Sequence, residues 1–187
     1  EATPYYLFHP AVPSRVAELL PSVKLIVLLR NPVDRAFSQY QHERRKGREP
    51  LSFREALDKE AKRLAGEEER LLRDPAYTSF NHQHYSYVAR GIYADQLARW
   101  LERFSREQML VLKSEEFFSH PGRIMKQISG FLDLPGKGNS THVPRNRGHY
   151  PEMDSALRKK LTRFFQPHNA RLGELLGEQH VGWRDSG

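Results

Sequence analysis

The chain has 187 residues, a length that suits one domain with a real core. It carries 30 Lys and Arg against 23 Asp and Glu, a net charge of +7 that favours anionic partners without choosing among them. The absence of cysteine excludes disulfides, thiolate metal sites and cysteine nucleophiles, and no apolar run approaches the roughly 18 residues of a membrane span or reads as a secretory signal.

In chain order, Val12 to Leu20 reads as a short helix, with Pro13 in its first turn and Pro21 as its stop. Leu25 to Leu29 (LIVLL) is a continuous apolar run, the pattern of a strand covered on both faces in a parallel sheet. It ends abruptly on Arg30. Asn31 then suits a helix cap and Pro32 a first helical position, with Ala36, Phe37 and Tyr40 facing inward. Phe53 to Leu64 is a second amphipathic helix, and Asp74 to Tyr85 is a polar, aromatic loop or lid. Ile92 to Phe104 is a helix with Leu97, Trp100, Leu101 and Phe104 on one stripe. Met109 to Leu112 is the second strand and Ile124 to Leu132 a helix, followed by a Gly- and Pro-rich loop from Leu134 to Pro144. Leu157 to Phe165 and Ala170 to Leu176 are two further helices, the latter ended by Gly177. Strands alternating with helices predict an α/β fold with a parallel sheet. The mixed-sign charges of EALDKEAKR and EEERLLRD read as solvated helix faces and argue against a nucleic-acid-binding patch.

In open α/β sheets, ligands sit outside the carboxyl ends of the strands. Arg30 stands at that end of the first strand, and its forked guanidinium suits phosphate oxygens. Ser38 lies two turns down the next helix, where its hydroxyl reaches an anion lying alongside. From the residues alone, a phosphate clamp and a surface arginine with a solvent-facing serine are equally good readings.

The motif LLRNPVDRAFSQYQH resembles the 3′-phosphate-binding segment of sulfotransferases that use PAPS (adenosine 3′-phosphate 5′-phosphosulfate). RGIYADQLARWLERFSREQMLVLKSEEFFSHPGRIMKQISGFLDLP is similar to the middle of that family. NRGHYPEMDSALRKKLTRFFQPHNARLGELLG, followed by Gly182 and Trp183, is similar to its C-terminal end. The pattern is nearest to bacterial domains related to the heparan sulfate N- and O-sulfotransferases. The resemblance implies a single sulfotransferase domain over residues 1–187, a three-layer α/β/α fold like that of P-loop kinases. It implies PAPS as donor, adenosine 3′,5′-bisphosphate as product, an acceptor hydroxyl or amine, no metal and a cytoplasmic site. It also implies that Arg30 and Ser38 bind the 3′-phosphate. Arg147 and Gly148, in the loop RNRGH, hold the place of the family's basic Gly-rich loop, although its usual order of Lys, Gly and Arg is not reproduced. Arg90 matches a position near the acceptor cleft.

The family's early loop for the 5′-phosphosulfate has no counterpart. GKGNS at 136–140 has the composition but follows Pro135 in a late loop. The glutamate base is expected upstream of Glu1, and Ala2 stands where a family lysine belongs. The chain is therefore expected to lack its first strand and that loop, and to turn over little substrate. The alternative is a non-catalytic domain that binds adenosine 3′,5′-bisphosphate. A monomer is the default expectation.

Other residues read as structural. His82 and His84 lack a third ligand at a zinc spacing, His42, one turn after Ser38, reads as support for that residue or as packing, and Trp100 and Trp183 read as core. Glu115 and Glu116 read as helix-start carboxylates, and Tyr77 to Tyr87 as either surface or acceptor lining.

Overall fold

A computed structural model describes residues 3–135, 152–177 and 183. Its helices are α1 (Tyr5–Phe8), α2 (Val12–Leu19), α3 (Pro32–Arg45), α4 (Phe53–Leu64), α5 (Glu67–Arg73), α6 (Phe80–His84), α7 (Tyr93–Leu101), α8 (Ser114–Ser119), α9 (Pro121–Phe131) and α10 (Ser155–Leu176). Strands β1 (Leu25–Leu29) and β2 (Met109–Lys113) pair in parallel, with Leu25 opposite Met109 and Leu29 opposite Lys113. The α/β class with a parallel sheet is as the sequence predicts.

Side chains alternate across a strand, so β1 shows two faces. Leu25, Val27 and Leu29 pack with Met109 and Val111 into a core shared with Tyr93, Ala94, Leu97, Trp100 and Phe104 of the α7 region and Leu172 and Leu176 of α10. The opposite face corrects the expectation of a strand covered on both sides. Leu112 is buried there, but Ile26 and Leu28 are 41% and 49% exposed, because no described element lies over them. A second core joins Val33, Ala36 and Tyr40 of α3 to Phe53, Ala56, Tyr87, Met153, Leu157, Leu161 and Phe165. The inward face predicted for α3 is therefore observed, with Phe37 only partly buried at its margin.

Two other differences have local causes. Residues 155–176 form one helix rather than two, with Pro167 inside it. Pro167 is exposed, as is Arg163, whose carbonyl loses its intrahelical donor. The stretch read as a loop from 74 to 85 contains α6, whose Ser79 hydroxyl accepts from the His82 amide at 2.9 Å. The loop expected from Leu134 to Pro144 lies outside the described residues beyond Pro135.

Candidate functional site at the carboxyl end of the sheet

Strand β1 stops at Arg30 because the next residues start a helix. The Asn31 side chain accepts from the amides of Val33 (3.0 Å) and Asp34 (3.4 Å), and Pro32 has no amide to extend the ladder. Three contacts fix this junction. Tyr93 donates its hydroxyl to the Arg30 carbonyl at 2.9 Å. The Asn31 amide donates to Glu115 at 2.7 Å, and the Trp183 indole donates to the other oxygen of the same carboxylate at 3.1 Å. Glu115 thus ties the ends of both strands together, a structural task in keeping with its reading as a helix-start carboxylate. Burial pushes the Tyr93 phenol up to about 12, so it remains a donor at neutral pH.

The Arg30 side chain is half-buried, and among the described residues no carboxylate lies within ion-pair distance of it. Ser38 is half-buried on α3, the helix that follows Arg30. It lies six residues beyond Pro32, about 9 Å along the axis at a rise of about 1.5 Å per residue. Arg158 meets Asp34 at 2.8 Å and anchors α10 beside this turn. The arrangement suits an anion: a forked cation with no carboxylate partner among the described residues, on a rigid strand end, with a hydroxyl further along the helix.

Arg90 is placed elsewhere. Its guanidinium donates to the carbonyls of His82 (3.2 Å) and Gln83 (2.6 Å) and lies 5.2 and 5.3 Å from the ring centres of Tyr5 and Phe8. Burial lowers its pKa to about 10, which leaves it charged at neutral pH. In this structure Arg90 ties α6 to α1. Arg147 and Gly148, GKGNS and Ala2 all lie outside the described residues.

His82 stacks on Phe8 at 4.2 Å and hydrogen-bonds the Tyr5 hydroxyl through Nδ1. His84 lies 3.3 Å from Glu43 and 3.2 Å from Arg48. Among the described residues no group of three or more His, Asp or Glu side chains is placed to hold a metal. Trp100 is buried, and Trp183 packs against the same core.

Two residues that sequence reasoning missed lie on α3 and α4. Arg35 donates to Gln39 at 2.6 Å and to the carbonyls of Ser86 (3.3 Å) and Tyr87. Glu60 accepts from the amides of Val88 (2.8 Å to its nearer oxygen) and Ala89 (2.8 Å). Burial pushes the Glu60 carboxyl up, against the amides and Arg35 that favour its charged form. A signal for Glu60 exists in the sequence. Phe53, Ala56 and Glu60 share one helical face, so the carboxylate occupies a core position.

A sulfotransferase domain model matches residues 7–146, three-quarters of the chain. The chain belongs to the sulfotransferase domain family. It is 29% identical over 202 residues to bifunctional heparan sulfate N-deacetylase/N-sulfotransferase 1 of Caenorhabditis elegans, covering 97% of this chain and 22% of that protein. It is 30% identical over 199 residues to the human N-deacetylase/N-sulfotransferase 2, covering 94% of this chain and 21% of that one. A crystal structure of a sulfotransferase from Alicyclobacillus acidocaldarius matches with a TM-score of 0.69 and 40% identity, over 92% of this chain and 62% of its own. The chain therefore spans about a fifth of these curated relatives. Within the sulfotransferase family, the carboxyl end of the sheet is also where the resemblance seen in the sequence puts the donor phosphate.

Proposed function

We propose that this chain is part of an enzyme that transfers the sulfonate group of PAPS to an acceptor hydroxyl or amine, with Arg30 and Ser38 holding the donor's 3′-phosphate. In the transfer, the acceptor's oxygen or nitrogen bonds to sulfur and gives up a proton. The bond from sulfur to the bridging oxygen breaks, and adenosine 3′,5′-bisphosphate leaves. Arg30 and Ser38 contribute orientation. They grip the far end of the donor so that its sulfur is presented in one pose, and positioning of this kind lowers the barrier through entropy already lost on binding. By resemblance, Arg147 and Gly148 meet the donor from a second side, and Arg90 borders the acceptor. The single observation that carries the reading is the guanidinium of Arg30, without a carboxylate partner among the described residues, on a strand end that Tyr93 and Glu115 hold rigid.

The finer parts of the reading have separate support. A cytoplasmic, bacterial setting is in keeping with the lack of cysteine and with the bacterial structural relative. No helix among the described residues is long and apolar enough to cross a membrane. The acceptor enters only as a hydroxyl or amine.

Calorimetric titration with adenosine 3′,5′-bisphosphate and with AMP tests the donor site. The chain should prefer the bisphosphate, and Arg30→Ala should lose most of that preference, by roughly tenfold or more for a charge-assisted phosphate contact. Equal affinity of the unaltered chain for both nucleotides would remove the donor-site reading. Binding without sulfonate transfer in the full-length protein would favour a non-catalytic nucleotide-binding role.

A further inference from the structure

Arg35 sits one turn into α3, between Arg30 and Ser38 in sequence; its side chain is half-buried, and its Nε is closed off from solvent. Its hydrogen-bond partners are neutral: the Gln39 side chain and the carbonyls of Ser86 and Tyr87. Its Nε has no partner among the described residues, and no carboxylate lies within ion-pair distance. Burying a charge without a counter-ion is costly. Its retention here asks for a use.

The charged side chains that act on Arg35 are Glu60, which favours its charged form, and Arg30 and Arg90, which oppose it. Glu60 accepts from amides 88 and 89 of the 86–89 backbone, and Arg30 stands one turn before Arg35, whose own amide donates to the Asn31 carbonyl at 2.8 Å. That backbone is polarised, with carbonyls 86 and 87 turned to Arg35 and amides 88 and 89 turned to Glu60. Arg35 therefore stands one turn from Arg30 as a like charge, with no carboxylate among the described residues within ion-pair distance. An anion seated on Arg30 relieves that repulsion. It feels both cations through a medium of low dielectric, where charge interactions reach further than in water.

We propose that Arg35 is a positioning residue of the donor site, a half-buried cation that raises the affinity of the strand end for the 3′-phosphate while Glu60 sets its strength. The inference rests on the reading of Arg30 as the phosphate anchor. A purely structural role for Arg35 and Glu60 predicts that both substitutions weaken the fold and leave the preference between nucleotides alone. The electrostatic role predicts opposite signs. Removing the cation lowers the preference for the 3′-phosphate, and removing the carboxylate raises it.

The test is the affinity ratio of adenosine 3′,5′-bisphosphate to AMP at low ionic strength, with folding followed by circular dichroism. Arg35→Gln should reduce the ratio by roughly tenfold, Arg35→Lys should retain most of it, and Glu60→Gln should raise it by a few fold. A folded Arg35→Gln protein with an unchanged ratio overturns the proposal. If that variant fails to fold, Glu60→Gln decides alone, and an unchanged or lowered ratio overturns it. Arg30→Ala separates the two levels. Loss of preference there with no effect at Arg35 and Glu60 removes only this inference, whereas an intact preference in Arg30→Ala removes the phosphate anchor and the inference with it.

Discussion

At the scale of single residues, two side-chain environments make sharp predictions. A Cβ added to Gly91 would stand 2.8 Å from ring atoms of Phe165 and 3.1 Å from the Cβ of Pro32. Both neighbours are buried, and Phe165 cannot swing away without opening the second core. Gly91→Ala should therefore destabilise by about 1–3 kcal/mol, the usual cost of overpacking, read as a lower urea midpoint with an unchanged slope. His82 is only 2% exposed, and burial, reinforced by Arg90, lowers its pKa to about 3. Its folded-state pKa is thus depressed below the ordinary value near 6.5. The stability this provides is complete above pH 6.5 and falls as pH drops from 6.5 towards 3, because protonation favours the unfolded chain. One proton allows a slope of at most about 1.4 kcal/mol per pH unit. His82→Phe, which keeps an aromatic ring against Phe8, should flatten the stability profile between pH 6.5 and 4 by up to that slope. A variant as steep as the parent would show that another group carries the acid response.

At the scale of elements, α3 makes the anion site and the fold depend on the same cap. Asn31 accepts from two first-turn amides, so Asn31→Ala should cost about 1 kcal/mol of stability. It should also weaken binding of adenosine 3′,5′-bisphosphate, since Arg30 is the preceding residue. Thermal melting with and without ligand separates the two effects. An equal ligand-induced shift in both proteins would show that the cap serves stability alone. The cap was legible because it is a local signal: an apolar run, then Asn-Pro, leaves few choices. The same holds for α4, observed over the predicted span with Ser52 and Glu55 in a capping box. The helices that sequence reading missed are α1, α5, α6 and α8, each too short to show a helical period. The merger of two predicted helices into α10 depends on where Pro167 points, which tertiary packing decides. The site follows the same division. Arg30 could be found from its place on a strand end. The partners of Arg35, Glu60 and Arg90 could not, because several of them lie tens of residues away in sequence and meet only in the folded chain. Exposure of Ile26 and Leu28 was hidden for a similar reason, since a run of apolar residues does not say which face has a cover.

At the scale of the whole molecule, the two cores are bound into one unit by α10 and by the residues that lead into α7. Helix α10 gives Leu157, Leu161 and Phe165 to the second core and Leu172 and Leu176 to the core beneath the sheet. Tyr87 belongs to the second core and Tyr93 to the first, with Gly91 wedged between Phe165 and Pro32. Neither core can lose its packing while α10 stays helical and docked along its length. Unfolding should therefore be a single transition. Phe165→Ala tests this, because it opens a cavity in the second core only. The loss should be about 3–5 kcal/mol, a large share of the 5–15 kcal/mol typical of folded domains. Trp100 reports the other core, where it is buried and stacks with Phe104 at 5.7 Å. In urea, the midpoints read by tryptophan fluorescence and by far-ultraviolet circular dichroism should fall together and by the same amount. Coincident probes are the signature of one cooperative unit. A circular dichroism midpoint that falls while the fluorescence midpoint stays in place would mean that the sheet core, with Arg30 at its edge, folds independently of the core that contains α3. The donor site would then be joined across two units rather than built on one, and Ser38 could lose its order while Arg30 kept its place.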